Sequence, residues 1–350
     1  MEIPVTKAER SKLKDLNLEN ISFGRYFTDH VLEADYINGE WTNVGIRPYH
    51  PLVMDPSAAV LHYGQAIFEG IKAYKDENGD AFIFRPHDNY SRFNISAARM
   101  EMPAVPEEIF MQGMKQLVAL EKDWIPRKPD YSLYIRPFMF ATDEMIGVKP
   151  SDTYKFMILL SPTGPYYSAP MRIYVEEFFV RAVRGGIGYA KAAGNYAACL
   201  HPTQEAKKKG YDQILWTDPV EHKYVQEIGT MNIIFIIGNT AVTPGLEEGT
   251  ILNGVTRQSV LTILKEMGLG IEERPVSIDE IMEAFRAGQL REVFGTGTAA
   301  TVSPIKELRY KDFVMHFDID QWQVMPGVKQ WLDDIRSCKK EDKYGWMVKV

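Results

Sequence analysis

The stretch SPTGPYYSAP, residues 161–170, contains three prolines and one glycine within ten positions. Proline cannot donate a backbone hydrogen bond and fixes its own φ angle, so such a run interrupts both helices and sheets. Residues 164–170 are therefore predicted to link two domains. A smaller domain would comprise residues 1–163, and a larger one would comprise residues 171–350.

Strand and helix patterns alternate around this link. Short runs of aromatic and branched residues predict strands at residues 81–85, 131–142 and 155–162. Helical spacing of apolar residues predicts a helix with one face formed by Phe110, Met114, Leu117 and Val118. Similar patterns follow the link, and no internal repeat is present. The sequence therefore predicts an α+β fold.

Composition and charge restrict the class of protein. The chain has 350 residues, of which 45% are hydrophobic and 25% charged, as in globular proteins with a sizeable core. The net charge of −7 argues against nucleic acid or an anionic membrane as a partner, because both select a basic face. Small molecules or proteins are the expected partners.

The cellular compartment is predicted from three features. Residues 1–17 are charged and lack the apolar core of a signal peptide. The longest apolar run, residues 231–242, is shorter than the roughly 20 residues that span a bilayer. The only cysteines are Cys199 and Cys338, too few for a disulfide framework. A cytoplasmic enzyme is predicted.

Lys191 lies in an unusual setting, the stretch GIGYAKAAGNYAACLHP at residues 186–202. Its neighbours are small, although a lysine in a solvated loop needs no such space. Motifs for other chemistries are absent: the sequence has no G-x-x-x-x-G-K-[ST], H-E-x-x-H or C-x-x-C. A P-loop nucleotide site and a zinc site are therefore not expected, and no metal is predicted.

Three further features, considered together with this lysine, indicate a candidate cofactor site. Val255–Thr256 are predicted to begin a helix, where free N–H groups attract anions. Residues 296–299, TGTA, offer hydroxyl and N–H groups. Glu227 shares a strand face with Val225. Each alone is typical of a turn, a strand end or a loop, but pyridoxal 5'-phosphate (PLP) requires a lysine, a phosphate cradle and an acid near its ring nitrogen.

Nine motifs, in order along nearly the whole chain, resemble the branched-chain amino-acid aminotransferases. They are FGRYFTDHV, LHYGQAIFEGIKAY, FRPHDNYSRF, SLYIRPFMF, IGVKP, AKAAGNY, QEIGTMN, ILNGVTRQSVL and VFGTGTAATVSP. These are PLP enzymes of the fold-type IV class, which also includes D-amino-acid aminotransferases and aminodeoxychorismate lyases. The resemblance implies their two-domain α+β fold, with the Schiff-base lysine in the larger, C-terminal domain.

The resemblance also implies cofactor contacts. Lys191 would form the Schiff base with PLP and carry the proton during catalysis. Tyr196 would contact the cofactor's O3′, and Glu227 the pyridine nitrogen. The phosphate would be held by Arg92, Val255, Thr256 and Thr298.

A substrate site is implied in the same way. Its apolar wall would consist of Phe23, Phe68, Tyr166 and Thr230. Tyr134, Thr298 and Ala299 would hold the α-carboxylate, while Arg136 would receive the side-chain carboxylate of glutamate. Tyr63 and the loop at Val148 would come from a neighbouring subunit, so the resemblance implies a homodimer at least.

The implied reaction is amino transfer between L-Leu, L-Ile or L-Val and 2-oxoglutarate. Two alternatives keep the same fold, a D-amino-acid aminotransferase and an aminodeoxychorismate lyase. A third alternative is a binding protein without catalytic activity. For the aromatic residues of the substrate site, ordinary core packing is the competing interpretation.

Overall fold

The computed structural model of the protein describes residues 2–18, 21–167 and 169–350. Ser168, within the predicted link, lies outside the described residues. None of the helices in the described part of the chain is both long enough and apolar enough to cross a bilayer.

The chain forms seventeen strands and eight α-helices within the described ranges. The strands are β1 (His30–Ile37), β2 (Glu40–Pro48), β3 (Ala66–Phe68), β4 (Ile71–Lys75), β5 (Ala81–Phe84), β6 (Ser132–Ala141), β7 (Tyr154–Thr163), β8 (Met171–Val175), β9 (Gln213–Thr217), β10 (Val225–Ile228), β11 (Asn232–Ile237), β12 (Thr240–Thr243), β13 (Gly270–Glu273), β14 (Leu290–Gly297), β15 (Thr301–Tyr310), β16 (Phe313–His316) and β17 (Met347–Lys349). The helices are α1 (Ala59–Tyr63), α2 (Pro86–Arg99), α3 (Gly113–Leu120), α4 (Ala193–Ala197), α5 (Leu200–Lys208), α6 (Val255–Glu266), α7 (Ile278–Arg286) and α8 (Val324–Arg336). A π-helical turn, Glu108–Gln112, precedes α3.

Two compact units divide the chain. The first contains Met1–Tyr166, Ala190–Gly194 and Asp333–Val350. Its sheet has the strand order β17-β5-β4-β6-β7-β1-β2, with β3 also paired to β6, and every pairing is antiparallel. Side chains alternate between the two faces of such strands, so Tyr134 and Arg136 of β6 lie on the same face.

Helices cover the sheet of this first unit through aromatic contacts. The ring of Phe93 on α2 lies 5.4 Å from that of Phe110 and 5.6 Å from that of Phe156 on β7, measured between centroids. All three residues are fully buried. The predicted helical face with Phe110, Met114, Leu117 and Val118 is confirmed as buried, although its first turn is π-helical.

The second unit contains Tyr167–Tyr189 and Asn195–Leu332. Its sheet has the order β10-β9-β8-β15-β14-β11-β12-β13, with β16 on β15. The sheet is mixed, because β8 runs parallel to β9 and β15, and β12 runs parallel to β13. Its core is aliphatic and aromatic and includes Ile173, Leu215, Phe235, Val293 and Ile305.

The chain returns to the first unit twice after the predicted link. β17 pairs with β5, so residues 333–350 belong to the first unit, whereas the sequence predicts a second domain that extends to residue 350. Residues 190–194, with Lys191, also group with the first unit. Such returns depend on pairing between distant segments, which local patterns do not report. Separate domains linked by residues 164–170 stay a prediction.

Candidate active site

The main chain of Lys191 is held by the sheet and by α2 of the first unit. Its N–H donates to Ser96 Oγ at 2.9 Å, and its carbonyl oxygen accepts from the N–H of Phe68 at 3.1 Å. The next residue, Ala192, forms an antiparallel bridge with Ile67 of β3. The lysine is therefore placed by backbone pairing rather than by a free loop.

The side chain of Lys191 lies near an aromatic ring and near charged groups of both signs. Its Nζ lies 4.7 Å from the ring centroid of Phe68. Burial, and then the positive charge of Arg92, lower the pKa of Lys191 from 10.5 to about 8, while Glu69 and Tyr134 act in the opposite direction. At pH 7.5 about a quarter of a group with this pKa is neutral, against about one in a thousand at the ordinary value. The amine can therefore serve as a nucleophile and as a base.

Arg92 forms a buried ion pair with Glu69, a residue without a role in the sequence analysis. Arg92 Nε donates to Glu69 Oε1 at 2.7 Å, and Nη2 donates to Oε2 at 2.8 Å. Oε2 also accepts from Asn89 Nδ2 at 2.7 Å and from the N–H of Gly70 at 3.0 Å. Burial alone would raise the pKa of Glu69, but Arg92, Lys191 and these hydrogen bonds together lower it.

Aromatic rings and one arginine form the wall next to this charge cluster. Phe23 makes edge-to-face contacts with Tyr134 and Tyr166, at centroid distances of 4.8 and 5.0 Å. The guanidinium carbon of Arg136 lies 4.7 Å from the ring centroid of Phe68. The structure thus brings together five of the predicted substrate residues in one unit, with an apolar surface and a cation side by side.

Tyr134 and Arg136 are held by close packing and hydrogen bonding. Arg136 Nη2 donates to Tyr134 Oη at 3.0 Å, while Arg136 Nε is buried without a hydrogen-bond partner among the described residues. A β-carbon at Gly70 would overlap Tyr134 Oη and lie 3.0 Å from its Cζ. The position therefore requires glycine, and Arg136 retains donor capacity for an anion.

Tyr63 and Val148 lie apart from these contacts. Tyr63 ends α1 and is 42% exposed, and Val148, in the loop before β7, is 90% exposed. The two segments are joined by a hydrogen bond from the N–H of Ala59 to the carbonyl oxygen of Asp143 at 2.8 Å. Their surface, with exposed apolar side chains, is accessible in the single chain.

Glu227, the acid predicted to contact the pyridine nitrogen, lies on β10 of the second unit. It is 2% exposed, and its Oε2 lies 2.7 Å from Arg181 Nε in a buried ion pair. Its Oε1 accepts from the N–H of Leu252 at 2.7 Å and from Asn232 Nδ2 at 3.1 Å. Arg181 is held in turn, because its Nη1 donates to the carbonyl oxygen of Thr250 at 2.6 Å. The carboxylate is therefore fixed in place and matched by a cation.

The predicted start of α6 is confirmed at Val255, with Gly254 as the N-cap. Val255 and Thr256 are buried, and the first N–H groups of a helix attract anions. A β-carbon at Gly254 would overlap Asn232 Oδ1. Asn232 thus connects Glu227 to the start of α6, and this close approach requires glycine.

The remaining residues predicted to contact cofactor or substrate occupy three segments of the second unit. Tyr196 lies on α4 and is partly buried. Thr230 is exposed in the turn before β11. Thr298 and Ala299 lie in the turn after β14. Near the end of β14, Thr296 is directly opposite Asn232, and its buried hydroxyl has no hydrogen-bond partner among the described residues. Their contacts with ligands stay predictions.

Four supporting residues were not predicted from the sequence, namely Glu69, Arg181, Ser96 and Asn232. Glu69 and Asn232 lie inside motifs that carried the resemblance, directly after Phe68 and two residues after Thr230. Their signal was present, but their partners lie more than 15 positions away or on another element. Only the folded chain pairs them.

The candidate site residues of the first unit and those of the second unit suit PLP chemically. The first unit supplies an amine with a lowered pKa and a fixed guanidinium. The second supplies a fixed carboxylate, a helix start and the unsatisfied buried hydroxyl of Thr296. An amine, phosphate donors and an acid are the groups that this cofactor needs from a protein.

Comparisons with known proteins agree with this chemistry. The family model Amino-transferase class IV matches residues 66–308. A probable branched-chain-amino-acid aminotransferase of Staphylococcus epidermidis is 49% identical over 98% of this chain and 97% of that protein. Branched-chain-amino-acid transaminase 1 of Bacillus subtilis is 48% identical over 95% of this chain and 94% of that protein.

Solved structures show the same fold. The branched-chain aminotransferase of the archaeon Thermoproteus uzoniensis, with norvaline, superposes with a TM-score of 0.74 at 23% identity, over 91% of this chain and 99% of that chain. Another solved branched-chain amino acid aminotransferase is complexed with N-(5'-phosphopyridoxyl)-L-glutamate and superposes with a TM-score of 0.72. These structures confirm the predicted fold-type IV architecture, and membership of the aminotransferase family confirms the predicted cofactor. The chain belongs to the PLP-dependent class IV aminotransferases and, within them, to the branched-chain aminotransferases.

Proposed function

We propose that the protein transfers amino groups reversibly between L-Leu, L-Ile or L-Val and 2-oxoglutarate. The observation that carries the proposal is the environment of Lys191, whose amine has a pKa of about 8 and lies between an ion-paired arginine and an aromatic wall. Relatives named branched-chain aminotransferases, at 49% and 48% identity over nearly the whole chain, support the substrate class.

Different residues of the chain would have different roles in this reaction. PLP, when bound, supplies an aldehyde that takes up the amino group and a ring that accepts the electron pair released at Cα. Lys191 would bind the cofactor and, once displaced by the substrate amine, move the proton at Nζ. Arg92, with the start of α6 and Thr298, would bind the phosphate. Glu227 would keep the ring nitrogen protonated, and Tyr196 would contact O3′.

An acid near the ring nitrogen has a sizeable effect. Two unit charges 4 Å apart interact by about 4 kcal/mol at an effective dielectric constant of 20. That interaction corresponds to roughly 3 pH units in the pKa of the nitrogen. The buried ion pair of Glu227 with Arg181 supports this role, because it holds the carboxylate in a fixed position.

Dual substrate use is supported by the wall that combines apolar and cationic groups. Phe23, Phe68, Tyr166 and Thr230 would contact a branched side chain. Arg136, whose Nε is buried without a partner among the described residues, would receive the side-chain carboxylate of glutamate. Tyr134 and the turn at Thr298–Ala299 would hold the α-carboxylate. Such an arrangement accepts both substrates in one pocket.

Borohydride reduction of the purified protein followed by peptide mapping tests the role of Lys191. We expect the cofactor to be trapped on Lys191. Lys72, a largely buried lysine of the same unit, provides the control. Lys72→Met should leave trapping intact, and Lys191→Met should abolish it. Trapping on another lysine would refute the proposed mechanism.

A substrate panel separates the alternatives. L-leucine with 2-oxoglutarate should give the branched 2-oxo acid and L-glutamate. Turnover of D-alanine or of aminodeoxychorismate without turnover of L-leucine would instead favour the other fold-type IV activities. Cofactor absorbance that does not respond to L-leucine would favour a binding protein.

We propose a homodimer, supported by exposed apolar residues around the loops of Tyr63 and Val148. Val53 is fully exposed, Ile146 is 70% exposed and Leu61 is 59% exposed. A second copy would cover this surface and receive Tyr63 and Val148 at its own site. Ultracentrifugation should show a dimer, and Ile146→Asp should shift it toward monomer with loss of activity. A fully active monomer would refute this proposal.

A cytoplasmic location is also proposed. Both cysteines are free, Cys199 buried and Cys338 exposed, which suits a reducing compartment. Cell fractionation should recover the activity with cytoplasmic markers, and recovery with secreted or membrane fractions would contradict the proposal.

A further inference from the structure

We propose that Glu69 is a positioning residue for cofactor binding, holding the Arg92 guanidinium in the orientation that receives the phosphate and offsetting its charge at Lys191. The proposal rests on the proposed function, in which Arg92 binds the phosphate of PLP. It adds a residue that contacts neither the phosphate nor the reacting atoms but acts through one that does.

The geometry of the pair fixes the plane of the guanidinium. Arg92 donates through Nε and Nη2 to the two oxygens of Glu69, at 2.7 and 2.8 Å. A two-point contact of this kind defines orientation as well as distance. Both side chains are buried, with Glu69 at 0% and Arg92 at 7% exposure. The contact is thus largely shielded from exchange with water.

Glu69 is itself held through both its backbone and its side chain. Its N–H donates to the carbonyl oxygen of Pro137 on β6 at 2.7 Å. Its Oε2 accepts from Asn89, which lies three residues before Arg92 on the same face of α2. Glu69 also follows Phe68, the residue that pairs with the backbone of Lys191. One short segment therefore sets the positions of both the arginine and the lysine.

The charge of Glu69 also reaches Lys191. Arg92 lowers the pKa of Lys191, and Glu69 opposes that effect. Without the carboxylate, the repulsion from Arg92 would be opposed only by the weaker effect of Tyr134, and the lysine amine would lose its proton at lower pH. A buried ion pair contributes little to stability by itself, so packing of α2 alone gives a weak reason for Glu69.

Positioning and simple electrostatics predict opposite results for Glu69→Gln. The substitution removes a negative charge near the phosphate, which on charge alone would tighten PLP binding. If Glu69 orients Arg92, PLP binding weakens instead. Pyridoxal lacks only the phosphate and keeps the aldehyde and the ring, so the ratio of the PLP and pyridoxal dissociation constants isolates the phosphate contact.

The test is a titration of the full chain, freed of cofactor, with PLP and with pyridoxal. We expect Glu69→Gln to raise the PLP dissociation constant by at least about tenfold relative to pyridoxal, as for loss of a charge-assisted contact. Glu33→Gln is the matched control, since Glu33 is a buried carboxylate of the same unit that pairs with Lys155. It should leave the ratio unchanged. An unchanged or lowered ratio in Glu69→Gln overturns the proposal.

Two further variants keep the test decisive. In the Arg92→Gln background, adding Glu69→Gln should leave the ratio within threefold, because Glu69 acts through Arg92; additive losses would overturn the proposal. If Glu69→Gln does not fold, Asn89→Ala loosens the same carboxylate and should raise the ratio about threefold; no change there would overturn it. Wild-type protein that binds neither compound would overturn the proposed function as well.

Discussion

Lys191→Met is expected to stabilise the cofactor-free protein at neutral pH, and by less as the pH rises. Folding lowers the pKa of Lys191 from 10.5 to about 8, first through burial and then through Arg92. At about 1.4 kcal/mol per pH unit, holding the charged lysine in the folded state costs about 3 kcal/mol. Lys191 is partly exposed, so solvent screening makes this an upper limit.

The direction of the pH dependence follows from proton binding. Well below pH 8 the lysine is charged in both states, and the folded state carries the full cost. Between pH 8 and 10.5 the folded state has lost its proton while the unfolded chain keeps it, so stability rises with pH. Methionine has no such dependence. The part of the variant's advantage that comes from the lysine charge should therefore be largest at pH 7 and fall to less than about half by pH 9.5.

Urea unfolding of both proteins at pH 7 and pH 9.5 measures the effect. Better burial of methionine adds an amount that does not vary with pH, so the change between the two pH values is diagnostic. Lys149→Met is the control, because hydrogen bonds from Lys149 to Asp152 and Asp143 raise the pKa of that lysine. Its replacement should therefore lower the free energy of unfolding rather than raise it. An equal advantage of Lys191→Met at both pH values would refute the reasoning.

Three further substitutions test close packing, a buried ion pair and a helix start in the two units. Gly70→Ala should displace the Tyr134 hydroxyl, costing about 1–3 kcal/mol in overpacking and raising KM for the amino acid; unchanged KM in steady-state kinetics would contradict this expectation. Arg181→Met leaves buried Glu227 uncompensated and should lower the free energy of unfolding by about 3–5 kcal/mol; a loss below about 1 kcal/mol in urea would contradict it. Glu292→Ala removes a carboxylate that accepts three N–H groups at the start of α8, and a fall in thermal stability worth about 1–3 kcal/mol should appear in calorimetry, with an unchanged transition counting against it.

Local structure was largely predictable from local sequence. The strand at 81–85 corresponds to β5, and the strands at 131–142 and 155–162 correspond to β6 and β7. The start of α6 at Val255 is also as predicted. These elements follow from residue type and spacing within a single segment, so neighbouring residues carry the information. β8 ends at Val175, and the apolar run at residues 178–180, which follows two glutamates, forms no strand.

The supporting contacts of the candidate site were not predictable in this way. Glu69 pairs with Arg92, 23 positions away. Glu227 lies 46 positions beyond its partner Arg181 in the numbering of the chain. A carboxylate in a motif looks the same whether it faces solvent, cofactor or an arginine, because its partner is chosen by strand order and helix placement.

The sequence by itself determined the α+β character, the family resemblance and the candidate lysine, acid and anion segments, since these depend on residue identity and order. Tertiary structure decided that Lys191 pairs with β3 of the first unit, that its amine loses its proton near pH 8, and that Glu69 and Arg181 hold the other charged groups. The physical reason is that burial and charge pairing depend on distances between segments far apart in the chain, and only folding sets those distances.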